Sequence, residues 1–271
     1  MIEAKDELLR RLVATVQDSA KYRTICPELI ASIGAQELAK RANLKAAVKA
    51  TKNKLHQVGG AYWQRTVDYS EWLDRLQLAA RSQDRAQLLQ ICDRIMAHHT
   101  STQERLPMLQ QFYTRIFAAL PPIHSVLDIA CGLNPLAMLS MPLAENATYY
   151  ACDIYQDTIN FINQFMKIVN VSGEAQVCNL IQTCPNYQVD VAFVFKTLPC
   201  LEQIDKHAGI RLLEAIQSQV TLVSFPNRSL GGKNKGMASH YESRLRTQIA
   251  DKPWSVQRLE FPTELVFLIT R

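Results

Sequence analysis

The apolar run Val126-Leu127-Asp128-Ile129 breaks into the small-residue turn Ala130-Cys131-Gly132, and Leu133-Asn134-Pro135 then starts a helix. A strand ending in such a turn lets a ligand approach the backbone at the carboxyl end of a parallel strand. A second acid, Asp153, ends the next apolar run, Thr148–Cys152. That spacing suits a carboxylate that grips ribose hydroxyls. Two strand ends of this kind predict a nucleoside-bearing cofactor. The turn lacks the G-x-G-x-x-G of a dinucleotide fold, so the residues point to S-adenosylmethionine rather than NAD.

The rest of the chain follows from that strand. Strand candidates Ser125–Ile129, Thr148–Cys152, Ala175–Cys178, Val189–Phe195 and Val220–Phe225 alternate with helix candidates Leu136–Met141, Thr158–Val169 and Ile204–Ser218. Such alternation predicts an α/β fold, a parallel sheet with helices on both faces. Val256–Phe261 and Glu264–Thr270 close the chain around Pro262 as an antiparallel hairpin at its edge. A helix over Met108–Leu120 ends at Pro121-Pro122, and before it the pattern is helical. Pro27 starts one helix, with Leu29, Ile30 and Ile33 on one face. Leu38–His56 reads as one long basic helix or a helix pair, ended by Gly59-Gly60.

Composition narrows the class. With 271 residues, 48% of them hydrophobic, the chain can bury a large core. No apolar stretch is long enough to span a bilayer, and the charged start of the chain lacks a signal-peptide core, so a cytoplasmic protein is expected. The 7 cysteines form no C-x-x-C pair, which predicts free thiols and no metal site. The net charge of +5 fits a polyanionic partner, and the clusters matter more than the total.

Four clusters carry candidate chemistry. In His99-Thr100-Ser101-Thr102-Gln103-Glu104-Arg105, Ser101 or Thr102 can cap a helix, while Arg105 can pair with the methionine carboxylate of the cofactor. Lys196 directly follows the buried run Phe193-Val194-Phe195 and so sits at the carboxyl edge of the sheet, where ligands bind. Phe225 leads into a loop whose glycines alternate with Arg228, Lys233 and Lys235, a pattern suited to phosphate. Phe225 itself fits either a core position or a stack on a flipped base. Finally, Arg41, Lys45, Lys49 and Lys52, with Lys54 nearby, recur at three- and four-residue spacing, which puts the first four on one helix face.

Taken with Leu55-His56-Gln57-Val58-Gly59-Gly60-Ala61-Tyr62, Ser224-Phe225-Pro226-Asn227-Arg228-Ser229-Leu230-Gly231-Gly232, Gly236-Met237, Tyr241 and Glu264-Leu265, these segments run in order along the chain. The chain thereby resembles the aminoglycoside-resistance 16S rRNA methyltransferases that modify the guanosine at rRNA position 1405. The resemblance implies a small helical N-terminal domain over residues 1–105, docking on 16S rRNA in the 30S subunit. It implies a Rossmann-like class I SAM-dependent methyltransferase domain over residues 106–271. It implies methylation at ring nitrogen seven, and resistance to 4,6-disubstituted deoxystreptamines. It carries cofactor contacts onto His99, Ser101, Arg105, Ala130, Gly132, Asp153 and Phe195, beside Asp128. Thr100 stands where the family often has alanine. Asn179-Leu180 stands where an acid-aliphatic pair often meets adenine, and Asn179 can hydrogen-bond the adenine edge. Lys196, Phe225 and Arg228 are then the residues expected at the reacting nucleotide. Arg41, Lys45, Lys49, Lys52, Lys54, Arg228, Lys233 and Lys235 are those expected on rRNA phosphates. Methylation of another rRNA site, or a non-catalytic ribosome-binding or assembly role, are the alternative readings.

Overall fold

A computed structural model describes residues 2–63, 67–227 and 237–271. Seven strands form one sheet: β1 (Ser125–Ile129), β2 (Thr148–Asp153), β3 (Ser172–Val177), β4 (Gln188–Phe195), β5 (Gln217–Pro226), β6 (Ser255–Glu260) and β7 (Glu264–Thr270). Their order is β3-β2-β1-β4-β5-β7-β6. β1 to β5 are parallel, and β7 inserts antiparallel between β5 and β6. The chain winds outward from β1 to β3 and then returns to the other side of β1 with β4. That reversal opens a crevice above the carboxyl ends of β1 and β4. The parallel core is the one the strand-helix alternation predicts, and the sheet is Rossmann-like, as the resemblance implies.

Eleven helices are seen among the described residues: α1 (Ile2–Gln17), α2 (Pro27–Lys40), α3 (Leu44–Leu55), α4 (Tyr69–Arg81), α5 (Arg85–Met96), α6 (Thr100–Gln103), α7 (Leu109–Phe117), α8 (Gln156–Ile168), α9 (Leu198–Glu202), α10 (Ala208–Ala215) and α11 (Met237–Gln248). Alternate strand residues point to opposite faces of the sheet. Val126, Val191 and Phe193 meet α4, α5, α7 and α8 in one core. Leu127, Ile129, Ala192 and Val194 meet α9, α10 and α11 in the other. The helices α1, α2 and α3 have a core of their own, built on Leu12, Ile30, Ile33 and Leu55 and closed by Tyr155. Backbone bonds from Cys26 N–H to the Ile154 carbonyl (2.9 Å) and from Gln156 N–H to the Thr24 carbonyl (2.8 Å) fasten that unit to the end of β2. Although the helical pattern runs on to about residue 105, α4 and α5 share the core of the sheet.

The structure settles one open reading and changes two others. The basic stretch 38–56 is a helix pair: Arg41 is extended, and Asn43 caps α3 by accepting from the Ala46 N–H at 2.9 Å. The expected helix over Ile204–Ser218 is shorter: the Asp205 carboxylate accepts from the His207 N–H just ahead of α10, and Gln217 already belongs to β5. Residues Asn134–Ser140 form a 3-10 turn rather than an α-helix. All seven cysteines are free thiols.

Replacing Asn43 by Ala removes the cap that separates α2 from α3. The expected cost is about 1 kcal/mol, seen as a drop in Tm of roughly 2–4 °C. An unchanged Tm would show that the cap does not hold this break.

Candidate functional site

The crevice at the switch point is a cleft walled by the carboxyl ends of β1, β2 and β4. Two of its walls rest on backbone that ordinary residues avoid. Ala130, at the end of β1, has φ +51°, and Lys196, at the end of β4, has φ +56°. The left-handed region costs a non-glycine residue about 1–2 kcal/mol, so the surrounding bonds must hold these turns. They do so for Lys196, whose N–H donates to the Ser224 carbonyl (3.0 Å) and hydroxyl (3.1 Å) on β5. For the β1 turn, Cys131 N–H donates to the Cys152 carbonyl (2.9 Å) and Gly132 N–H to the Asp153 carboxylate (2.9 Å).

Beneath the crevice lies a continuous polar chain. Asp128 is buried and accepts from Tyr149 Oη (2.7 Å) and Asn134 Nδ2 (2.9 Å). The Asn134 Oδ1 accepts in turn from Arg105 Nη1 (2.6 Å) and Tyr113 Oη (2.7 Å). Arg105, 1% exposed, then pairs with Glu264, 0% exposed, through Nη2 (2.7 Å) and Nε (3.2 Å). Its guanidinium lies 4.5 Å from the Phe112 ring centroid and 4.6 Å from that of Phe195. Ser224 Oγ donates to Glu264 at 2.5 Å. Lys196 Nζ closes the chain, 2.7 Å from Glu104 and 3.6 Å from Glu264.

Burial sets the protonation of these groups. Loss of water pushes Asp128 up to about 7 against its two hydrogen-bond donors. Burial likewise raises Asp153, opposed by backbone N–H groups from Gly132, Ile154 and Tyr155. For Glu264, burial acts upward, but the Arg105 and Lys196 charges outweigh it and hold the carboxyl below its usual range. His99 is pushed down to about 3, chiefly by burial and then by the Lys196 and Arg105 charges. Its ring stacks on Tyr62 (5.8 Å between centroids) and meets the edge of Trp63 (5.0 Å), and its Nδ1 is buried without a hydrogen-bond partner among the described residues.

The cleft brings together most of the sequence candidates: His99, Ser101, Arg105, Asp128, Ala130, Asp153, Asn179, Leu180, Phe195 and Lys196 all line it. Gly132 lies beside it, and a Cβ there would stand 2.7 Å from His99 Cε1. Asn179 is tied at both ends, donating to Ser32 Oγ (3.1 Å) and accepting from the Ile181 N–H (3.2 Å).

Other candidates lie elsewhere. Thr100 turns away from the cleft, because its N–H (2.8 Å) and its hydroxyl (3.1 Å) both donate to the Tyr62 carbonyl. Phe225 is buried, stacked on Tyr241 at 4.8 Å and edge-on to Phe267, so it packs in the core rather than on a pocket wall. Arg41 is not on the α3 face. It follows α2 and pairs with the buried Glu37, which also takes Lys54. Lys52 donates to Ser19 Oγ. Lys45 and Lys49 are exposed on α3, with no ion pair among the described residues. Arg228, Lys233 and Lys235 fall outside the described residues.

The sequence reading missed Trp63 and Tyr155, which wall the cleft, and gave no role to Glu264 under its floor. An aromatic wall contributed by a helical unit leaves no local signal. A buried acid in the apolar strand Glu264–Thr270 does, because burial of a carboxylate is costly without a partner.

The described residues fit a nucleoside with an amino-acid end. The turn at Ala130 to Gly132 offers close backbone approach, Asp153 offers a carboxylate, and Arg105 and Lys196 offer charge to an anion. His99 keeps an unpartnered ring nitrogen in the same cleft.

The comparisons with known proteins agree with this geometry. The model of the ribosomal RNA methyltransferase family FmrO matches residues 18–268. A 16S rRNA (guanine(1405)-N(7))-methyltransferase of Frankia casuarinae is 35% identical over 273 residues, covering 100% of this chain and 96% of that protein. A protein of the same name from Micromonospora rosea is 32% identical, covering 97% of both chains. The crystal structure of the 16S rRNA methyltransferase RmtF in complex with S-adenosyl-L-homocysteine matches with a TM-score of 0.82 at 28% identity, covering 98% of each chain. The 16S rRNA methylase RmtB matches with a TM-score of 0.77 at 27% identity, covering 97% of this chain and 98% of that one.

The depressed His99 sets a testable pH dependence. The unfolded imidazole titrates near its ordinary 6.5 and the folded one near 3. His99 therefore contributes stability that is full above pH 6.5 and is lost as pH falls toward 3. Across that window the wild type minus His99→Leu difference in unfolding free energy should change by about 1.4 kcal/mol per pH unit in urea titrations. Parallel pH profiles would contradict a buried, neutral His99.

Proposed function

The chain belongs to the FmrO family of ribosomal RNA methyltransferases, and on that premise we propose that it methylates N7 of the guanosine at position 1405 of 16S rRNA within the 30S subunit. The observation that carries this reading is the cleft at the β1–β4 switch point, in a chain whose relatives of that name match it almost end to end. S-adenosylmethionine, when bound, supplies an electrophilic methyl group on a sulfonium. Asp153 would take its ribose hydroxyls, Arg105 its carboxylate, and the Ala130–Gly132 turn and Leu180 its nucleoside. Asn179 keeps one further lone pair and one further hydrogen for the adenine edge.

Guanine N7 has a lone pair and carries no proton at neutral pH. The protein therefore needs no general base, and its task is orientation of the two reactants. The cleft suits that task, because its polar groups are held in place by hydrogen bonds and ion pairs. Lys196 stands at the reacting end, held between Glu104 and Glu264, where it can steer a nucleotide toward the cleft.

Docking falls to the helical unit and to the basic segment 228–236. On α3, Lys45 and Lys49 present charge to rRNA phosphates, and Lys52 extends the row. Methylation at this site is expected to confer resistance to 4,6-disubstituted deoxystreptamines such as kanamycin and gentamicin, in the cytoplasm where the subunit resides.

The direct test combines purified protein, 30S subunits and methyl-labelled S-adenosylmethionine. Label should enter 16S rRNA, and aniline scission should map it to guanosine 1405. Label at another nucleotide would overturn the assigned target, and no label would overturn the reaction. In the same assay Lys45→Glu with Lys49→Glu should raise KM for the subunit by roughly 10-fold or more. Affinity for S-adenosylhomocysteine should stay unchanged. Loss of that affinity would contradict the division between docking and cofactor surfaces.

A further inference from the structure

We infer that Glu264 is a positioning residue for the amino-acid end of the cofactor. It fixes the in-plane rotation of the Arg105 guanidinium, so that the N–H groups it does not take are aimed at a ligand carboxylate. This rests on the reading that the cleft takes S-adenosylmethionine.

Two constraints define a planar guanidinium: the plane it lies in and its rotation within that plane. Phe112 and Phe195, at 4.5 and 4.6 Å, supply the first. Aromatic faces do not select a rotation, because they present no directional acceptor. Glu264 supplies the second constraint, taking Nε and Nη2 in a two-pronged pair. Asn134 then accepts one hydrogen from Nη1, which has two. The second hydrogens of Nη1 and Nη2 are the donors that Glu264 and Asn134 do not take, on a residue that lines the cleft.

Glu264 is itself held. Ser224 Oγ donates to the same Oε1 that receives Arg105 Nη2, and Lys196 Nζ approaches Oε2. Glu264 is fully buried and contributes nothing to the cleft wall, so it acts on a ligand only through Arg105 and Lys196. A buried ion pair is a poor device for stability alone, since apolar residues of like volume often do as well or better. Its presence under the cleft is explained by what it aims.

The test titrates two ligands that share the adenosine and thioether and differ at one end. S-adenosylhomocysteine carries the amino-acid carboxylate, and 5′-methylthioadenosine lacks it. In Glu264→Gln, affinity for S-adenosylhomocysteine should fall by roughly 10-fold or more, the scale of a lost charge-assisted hydrogen bond, with 5′-methylthioadenosine within about 2-fold of wild type. Equal losses for both ligands, or none, would overturn the positioning role. Arg105→Met serves as the control. Selective loss in Arg105→Met without selective loss in Glu264→Gln overturns Glu264 alone and leaves the cofactor reading intact. A wild type that binds neither ligand overturns the cofactor reading itself, and the inference with it. Should Glu264→Gln fail to fold, Ser224→Ala keeps the Arg105–Glu264 pair and removes one tether. It should show the same selective loss at smaller size, and an unchanged ratio of the two affinities would overturn the inference.

Discussion

The Arg105–Glu264 pair is the constraint on which the site depends. It joins the segment after α6 to the last strand across 159 positions of sequence, and both side chains are removed from water. Two ions so deeply buried persist only when nearly every hydrogen-bonding position is filled. Here Ser224, Asn134 and Lys196 fill them, and the two flanking phenyl rings exclude water. The same bonds reach Asp128 and Tyr149, so a floor of fixed polarity runs under the whole switch-point crevice. Removing one partner would leave an uncompensated buried charge, a loss of about 3–5 kcal/mol in comparable pairs.

Above that floor, strained backbone does the positioning. Ala130 and Lys196 occupy left-handed conformations at the ends of the two central strands. Each is anchored by bonds to the neighbouring strand, and each thereby presents its residue to the cleft. Orientation of reactants is the catalytic contribution that N7 chemistry asks for, and rigid turns on adjacent strands are a suitable source of it. The helical unit completes the cleft from outside. Tyr62 stacks on His99, Trp63 meets it edge to face, and Thr100 clips to the Tyr62 carbonyl, so the aromatic wall and the start of α6 are held as one piece.

The parallel sheet is legible in the residues because buried strands read as continuous apolar runs, and the acids at the ends of β1 and β2 mark the edge where ligands bind. Asp128, Asp153 and Lys196 were placed correctly at that edge for the same reason. What the residues could not show is where side chains go once elements pack. Phe225 follows a strand as a base-stacking aromatic would, yet Tyr241 of α11 covers it. Arg41 shares the spacing of Lys45 and Lys49, but Asn43 breaks the helix between them and Glu37 claims the guanidinium. Arg105 was expected on a ligand carboxylate, and its tie to Glu264 was invisible because the two lie far apart in sequence. Spacing reports a face only while one helix persists, and ion-pair partners depend on the tertiary fold.

A crystal structure of the chain with S-adenosylhomocysteine tests the central claim most directly, that the switch-point cleft over this polar floor is the cofactor site. The account predicts the ligand between the β1 and β4 turns, its ribose on Asp153 and its carboxylate on the guanidinium of an Arg105 still paired with Glu264. A ligand bound elsewhere, or a carboxylate that meets neither Arg105 nor Lys196, would contradict it.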